Sequence, residues 1–157
     1  VEENASGSAA RQVQQLAYEK GEDVFRQNPQ YPVLAADTLV CLDDVILGKP
    51  KNRQEAAAML SLLSERWHQV FTGVCLFLPD GRAETRLAAT SVLFRRIGEA
   101  ELERYTASDE PMDKAGAYAM QGVGSLFIDR IDGSPSNVIG LPLCEVKELL
   151  EIAGLYP

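Results

Sequence analysis

The sequence predicts one α/β domain, with a mixed, twisted sheet flanked by helices. Segments with helical spacing of apolar residues alternate with strand-like segments, two sites carry hairpin-turn residues, and no repeat or low-complexity linker divides the chain. The chain has 157 residues, of which 46% are hydrophobic, and this is enough for one ordinary core. We therefore expect residues 1–157 to form a single domain.

The first half of the chain is predicted to run helix, strand, strand, helix. Residues 8–26 carry apolar side chains near helical spacing, and an Asn-Pro stretch then ends this helix and starts a strand at 33–40. Two aspartates turn the chain into a short strand at 45–47. An asparagine cap begins an amphipathic helix over 52–66.

The second half supplies a hairpin, a helix, a strand and a final helix. Strands at 69–78 and 83–94 are joined by a Pro-Asp-Gly turn. Helical spacing recurs over 98–106, and residues 125–131 form a further strand, followed by a polar loop. The last helix, over 142–153, begins at a proline and ends before a glycine.

Charge and composition restrict the partners. The net charge is −8, which argues against binding to a nucleic-acid polymer, because a phosphate polymer requires a broad basic face. No apolar run approaches the ~18 residues of a membrane span, so we expect a soluble protein without a membrane partner. Three widely spaced cysteines (Cys41, Cys75 and Cys144) are expected to be buried free thiols in a reducing cytoplasm. A small anionic ligand remains compatible with this composition, because a few cations can focus the field locally.

Asp37 interrupts the apolar run at 33–40, and we take it as the functional centre. A buried, unpaired carboxylate is costly, so Asp37 must reach the strand end, pair with a cation, or bind a metal. Lys49, in a Gly-Lys-Pro segment, is a nearby cation. At the carboxyl end of a central strand, Asp37 would lie in the crevice where open α/β sheets place ligands.

A second informative stretch is the glycine-rich segment at 113–124. Its glycines allow a ligand close to the backbone, and Lys114 carries a charge suited to phosphate. The alternative is a structural loop with a surface lysine. Gln121 could read a base edge through its amide or bond to the loop backbone. The only histidine, His68, is more typical of a structural hydrogen-bonding residue than of a nucleophile scheme.

Collinear motifs across nearly the whole chain resemble the Maf family. They are Glu3, Ala36-Asp37-Thr38, Gly48-Lys49-Pro50, Thr72-Gly73-Val74, Asp113 to Tyr118, Gln121-Gly122 and Asn137 to Leu143. The resemblance implies a cytoplasmic, dimeric nucleoside triphosphate pyrophosphatase with a housecleaning role. It further implies a divalent metal, Mg²⁺ or Mn²⁺, and a fold shared with inosine triphosphatases.

The resemblance also implies roles for individual residues. Asp37 would be the proton acceptor and, with Glu3, would hold the metal. Three lysines would face the phosphates: Lys20, Lys49 and Lys114. Thr38 and Gln121 mark the branch that acts on dTTP and UTP.

Two alternatives and one expectation about the start of the chain remain. The alternatives are a sister branch that acts on 7-methyl-GTP, and a regulator of septum formation that binds nucleotides without turnover. The family's N-terminal pattern Ala-Ser-x-Ser-Pro-Arg-Arg is absent, and Val1-Glu2-Glu3 resembles an interior family segment. We therefore expect the chain to lack the family's first strand, phosphate-binding loop and first helix.

Overall fold

The computed structural model describes residues 5–43 and 45–157, and it contains five strands and five α-helices within those ranges. In chain order they are α1 (Ala5–Gln27), β1 (Val33–Leu42), β2 (Val45–Leu47), α2 (Arg53–Leu63), β3 (Trp67–Phe77), β4 (Ala83–Phe94), α3 (Glu99–Ala107), β5 (Ile128–Asp132), α4 (Pro135–Ile139) and α5 (Leu143–Ile152). Three short 3₁₀ turns lie between α3 and β5, at Glu110–Asp113, Ala115–Ala117 and Val123–Phe127.

The strands form one sheet in the order β2-β1-β3-β4-β5. The predicted α/β class with a helix-flanked sheet is confirmed. A mixed sheet would also contain a parallel pair, but each adjacent pair among the described strands is antiparallel. The reason lies in the connections: β2 reverses the chain and α2 carries it past β1, so that β3 also runs opposite to β1.

The two faces of the sheet pack against different helices, because successive strand side chains point to opposite faces. Leu39, Cys41 and Phe71 form a cluster with α1, whose Ala9 and Val13 are fully buried. The alternate strand residues pack against α2, α5 and the turns that follow α3. The pocket described below opens on this second face, to which Thr38 and Val40 point, whereas the side chain of Asp37 points toward α1.

Gly73 lets α1 lie directly on β3. A Cβ atom there would lie 2.7 Å from the carbonyl oxygen of Val13 and 2.9 Å from Gln14 Cα. Backbone atoms cannot move aside as a flexible side chain can, so this contact requires glycine. Across the sheet, Gly73 stands opposite Asp37 in β1.

The predicted boundaries of the helices and long strands agree with the structure to within a few residues. Asn52 caps α2, and its side-chain oxygen accepts a hydrogen bond of 2.8 Å from the Glu55 amide. Among the described residues, no helix is both long and apolar enough to span a membrane.

Three local predictions are wrong. The strand predicted at 125–131 begins only at Ile128, because the amides of Val123 and Gly124 donate to the Glu110 carboxylate and the chain forms a 3₁₀ turn instead. The polar loop contains the short helix α4, with proline at its start. Cys144 is exposed on α5, whereas Cys41 and Cys75 are buried as expected.

Candidate active site

A pocket of about 250 Å³ is bounded by β1, the segment after β2 and two loops. Its walls come from Ala36 to Thr38 and Val40 of β1, Val70 of β3, Lys49, Asp113 to Ala115, Tyr118, and Val138 to Gly140. Four predicted site residues therefore line one pocket: Asp37, Thr38, Lys49 and Lys114.

Asp37 lies in the middle of β1. The expectation that it lies at the carboxyl end of the strand, in a crevice at the sheet edge, is therefore wrong. The Asp37 side chain is 18% exposed and forms an ion pair with Lys20 Nζ from α1. The close contact of α1 at Gly73 places this lysine over the strand. The ion pair with this lysine thus offsets the free-energy cost of placing a carboxylate inside an apolar strand. Lys20 reaches the site through this contact and is not itself part of the pocket wall.

Lys49 and Lys114 line the same pocket because a backbone hydrogen bond joins the two segments that carry them. The Gly116 amide donates a hydrogen bond of 3.1 Å to the Gly48 carbonyl. Gly116 has a φ of 70°, and a Cβ atom there would lie 3.1 Å from Val40 Cγ2. Glycine is therefore required for the tight turn that follows Lys114.

Asp113 is a pocket carboxylate to which we assigned no role from the sequence. Its Oδ1 accepts a hydrogen bond of 2.8 Å from Lys114 Nζ. This bond, together with the positive charges of Lys114 and Lys49, holds the pKa of Asp113 below its ordinary value. Its position beside Lys114 in the glycine-rich stretch was the available clue, but sequence alone cannot show which way an exposed side chain turns.

Thr38 points away from Asp37, toward the opposite face of the sheet. Its Oγ1 lies 2.8 Å from Thr72 Oγ1 on β3, and Gly140 closes the pocket nearby. A Cβ atom on Gly140 would come within 3.5 Å of the Thr38 hydroxyl. The carboxylate of Asp37 and the hydroxyl of Thr38 are thus held on opposite faces of the sheet by neighbouring residues of one strand.

Gln121 is exposed and does not belong to the pocket wall. Its loop is held by Glu110, whose carboxylate accepts hydrogen bonds of 2.8 Å from each of the Val123 and Gly124 amides and of 2.5 Å from the Tyr105 hydroxyl. Partial burial raises the pKa of Glu110, but these hydrogen bonds outweigh it and the pKa lies below its ordinary value. A base-reading role for Gln121 stays a prediction.

His68 is buried outside the pocket, as expected for a structural histidine. Its Nε2 lies 2.7 Å from the Tyr118 hydroxyl, and its ring packs edge-on against Phe94. Burial lowers the pKa of His68 to about 4, because the apolar surroundings disfavour the charged ring. The imidazole therefore stays neutral at physiological pH.

The described residues contain no group of three His, Cys, Asp or Glu side chains placed to hold a metal ion. Glu3, predicted as a metal ligand, lies outside the described residues. Asp37 and Asp113 line the same pocket. Mg²⁺ is often bound by one or two carboxylates plus substrate phosphates and water, so these two groups fit such an ion in chemistry.

Several known proteins are similar to this chain. One from Bacillus pumilus is 45% identical over 154 residues, which are 98% of this chain and 81% of the relative. One from Myxococcus xanthus is 48% identical over 153 residues, covering 97% of this chain and 76% of the relative. One from Desulfotalea psychrophila is 49% identical over 136 residues, covering 86% and 70%. Each of these relatives carries the name dTTP/UTP pyrophosphatase.

A family model described as Maf-like protein matches residues 1–153, which is almost the whole chain. The match includes the strand that carries Asp37, both lysine segments and the loop before α5. The chain therefore belongs to the Maf family.

Proposed function

We propose that this protein hydrolyses UTP and dTTP to the nucleoside monophosphate and pyrophosphate. The observation that carries the proposal is the pocket itself, whose lining includes the strand residue Asp37 together with Lys49 and Lys114. The relatives named dTTP/UTP pyrophosphatase support the choice of substrates.

The reaction needs a water molecule to attack the α-phosphorus while the bond from that phosphorus to the β-bridging oxygen breaks. Asp37 accepts a proton from the attacking water, and pyrophosphate leaves with the bridging oxygen. Lys49 and Lys114 offset charge on the phosphates, and such charge stabilisation and positioning provide most of the catalysis in phosphoryl transfer. The residues thus supply a base and cations without a covalent intermediate.

Lys20 and Lys114 have carboxylate partners before substrate arrives. Lys20 pairs with Asp37, and Lys114 pairs with Asp113. A triphosphate carries more negative charge than either carboxylate, so it can draw both ammonium groups toward its oxygens. Release of Lys20 would then leave Asp37 free to accept the proton from water.

We propose Mg²⁺ or Mn²⁺ as the cofactor, held by Asp37 and, from the family resemblance, Glu3. Asp113 is a further carboxylate that lines the same pocket. Such an ion would neutralise phosphate charge and lower the pKa of a bound water.

A regulator that binds nucleotides without turnover is the alternative from another class. It would need cations and base contacts but no acid beside the phosphates, because a carboxylate close to a polyanion is unfavourable unless it binds a metal or activates water. The position of Asp37 in the pocket therefore favours an enzyme.

The test is a panel of nucleoside triphosphates, with 7-methyl-GTP included, in which pyrophosphate and phosphate release are measured separately with Mg²⁺ or Mn²⁺ present. We expect pyrophosphate from UTP and dTTP above all other nucleotides. Phosphate and nucleoside diphosphate as products would contradict the proposal, and a preference for 7-methyl-GTP would move the protein to the sister branch. Tight binding of UTP without turnover would support the regulator.

A homodimer and a cytoplasmic location stay predictions that rest on the family resemblance. Light scattering on the purified chain tests the dimer.

A further inference from the structure

The turn that follows Lys114 has a strained backbone. Gly116 has a φ of 70° and Ala117 a φ of 62°, so two successive residues lie in the left-handed region. This region is unfavourable for a residue with a Cβ atom, and Ala117 is fully buried. Such a conformation persists only where the surrounding structure enforces it.

Two backbone hydrogen bonds hold the first part of this turn. The Gly116 amide donates to the Gly48 carbonyl, and the Ala117 amide donates to the Lys114 carbonyl, each at 3.1 Å. The first bond ties the turn to the segment after β2, and the second closes the turn on itself. Neither bond connects the turn to β3, which contributes Val70 to the pocket wall.

Tyr118 connects the end of the turn to β3. Its hydroxyl oxygen lies 2.7 Å from His68 Nε2, within hydrogen-bond distance, and both residues are buried. Phe94 packs edge-on against both rings, with centroid distances of 4.9 Å to His68 and 4.7 Å to Tyr118. The hydrogen bond and this cluster of three rings thus fix the residue directly after Ala117.

The hydroxyl of Tyr118 is the single hydrogen-bond partner of the imidazole within the part of the chain that the structure describes. His68 Nδ1 has no partner there. A polar ring in apolar surroundings is costly unless its nitrogens are bonded. Whichever group donates, loss of this one bond would leave both the hydroxyl and Nε2 buried and unpaired. The bond therefore gives the turn a defined position relative to β3.

Building on the proposed function, we propose that Tyr118 and His68 are positioning residues for Lys114. Their hydrogen bond holds the left-handed turn in place, and the turn keeps Lys114 in the pocket wall, where it meets a phosphate. Without the bond, the backbone at Ala117 can relax toward negative φ, and Lys114 then moves relative to the pocket. Neither ring needs to touch the substrate in this role.

The experiment measures the effect of Tyr118→Phe on kcat/KM for UTP in three backgrounds. Phenylalanine keeps the ring in the cluster and removes only the hydroxyl. We expect a loss of about tenfold in the otherwise wild-type protein, as for one hydrogen bond. In the Lys114→Ala background the same change should have almost no further effect, because the group that it displaces is already gone. Lys20 lies on α1, on the other face of the sheet, so the loss should persist in the Lys20→Ala background.

A second variant separates positioning from folding, because Tyr118→Phe alone leaves the imidazole unpaired. Tyr118→Phe combined with His68→Leu removes both polar groups. Replacing both partners of a buried hydrogen bond by apolar groups of similar size is close to neutral for stability. We expect this double variant to unfold near the urea concentration at which the wild type unfolds, yet to have an about tenfold lower kcat/KM for UTP.

Two results would overturn the proposal. One is a folded double variant that is as active as the wild type. The other is an equal loss from Tyr118→Phe in the Lys114→Ala and Lys20→Ala backgrounds, which is what a merely structural role predicts. Absence of pyrophosphate release by the wild type with every nucleotide would instead contradict the proposed function, and with it the premise of this inference.

Discussion

Replacing Gly73 with alanine tests how the packing of α1 supports the site. The added methyl group would lie 2.7 Å from the Val13 carbonyl oxygen and 2.9 Å from two backbone atoms of Gln14. All three contacts are with backbone, so α1 must move away from β3 as a unit. Overpacking of this kind costs about 1–3 kcal/mol in the free energy of unfolding. For a domain of this size, that lowers the melting temperature by roughly 2–12 °C.

The displacement should also reach the active site. Lys20 lies on α1 and pairs with Asp37, which stands opposite Gly73 in the sheet. Moving the helix shifts this lysine away from the phosphates that it would contact, so we expect kcat for UTP to fall by roughly 10-fold to 100-fold, since small misplacements of catalytic groups have effects of this order.

Thermal melts and steady-state kinetics measure the two effects on one protein sample. Gly98→Ala is the matched control, because a Cβ atom at Gly98 would meet nothing within 4 Å and its φ is −77°. We expect that control to stay within about 0.5 kcal/mol of the wild type. A Gly73→Ala protein as stable as Gly98→Ala would refute the packing argument.

Two further predictions concern the ligand groups and the buried histidine. Gln121→Ala should change the ratio of kcat/KM between dTTP and GTP, whereas Lys114→Ala should lower all nucleotides alike. If both variants lower every nucleotide by one common factor, the division between base and phosphate contacts is wrong. The pKa of His68 falls from 6.5 to about 4 on folding, so the unfolded chain binds a proton that the folded chain excludes. Stability should therefore be complete above pH 6.5 and decline as the pH falls toward 4, by about 2 kcal/mol between pH 7 and pH 5. Urea denaturation of the wild type and His68→Gln measures this, and an equal slope in both proteins would contradict it.

The periodic elements were predictable because each depends on local chemistry. Asn52 supplies an oxygen to a free amide at the start of α2, and the Pro-Asp-Gly turn joins β3 to β4. The strand at 125–131 was misplaced because the competing hydrogen bonds come from Glu110, which is distant along the chain. No local pattern shows that a remote carboxylate will accept the amides just before a predicted strand and hold the chain in a turn there.

The site was predictable where residue type alone is diagnostic. Asp37 inside an apolar run signals a need for a partner, and the partner is Lys20. Which side chain would pair could not be read from the sequence, because that depends on the packing of α1 against β3. The hydrogen bonds of Thr72 and Asn137 were equally hidden, since the partners of a buried hydroxyl or amide depend on its neighbours in space. Glu3 lies outside what the structure describes, and its role stays a prediction.

The central claim is that Asp37 accepts a proton during hydrolysis, and Asp37→Asn tests it most directly. Asparagine keeps the size but removes the base, so we expect kcat for pyrophosphate release from UTP to fall by ~10²–10⁴-fold. Asp129→Asn, an exposed acid on β5, is the control and should retain wild-type kcat. An Asp37→Asn protein that folds normally and hydrolyses UTP at a near-wild-type rate would contradict the account.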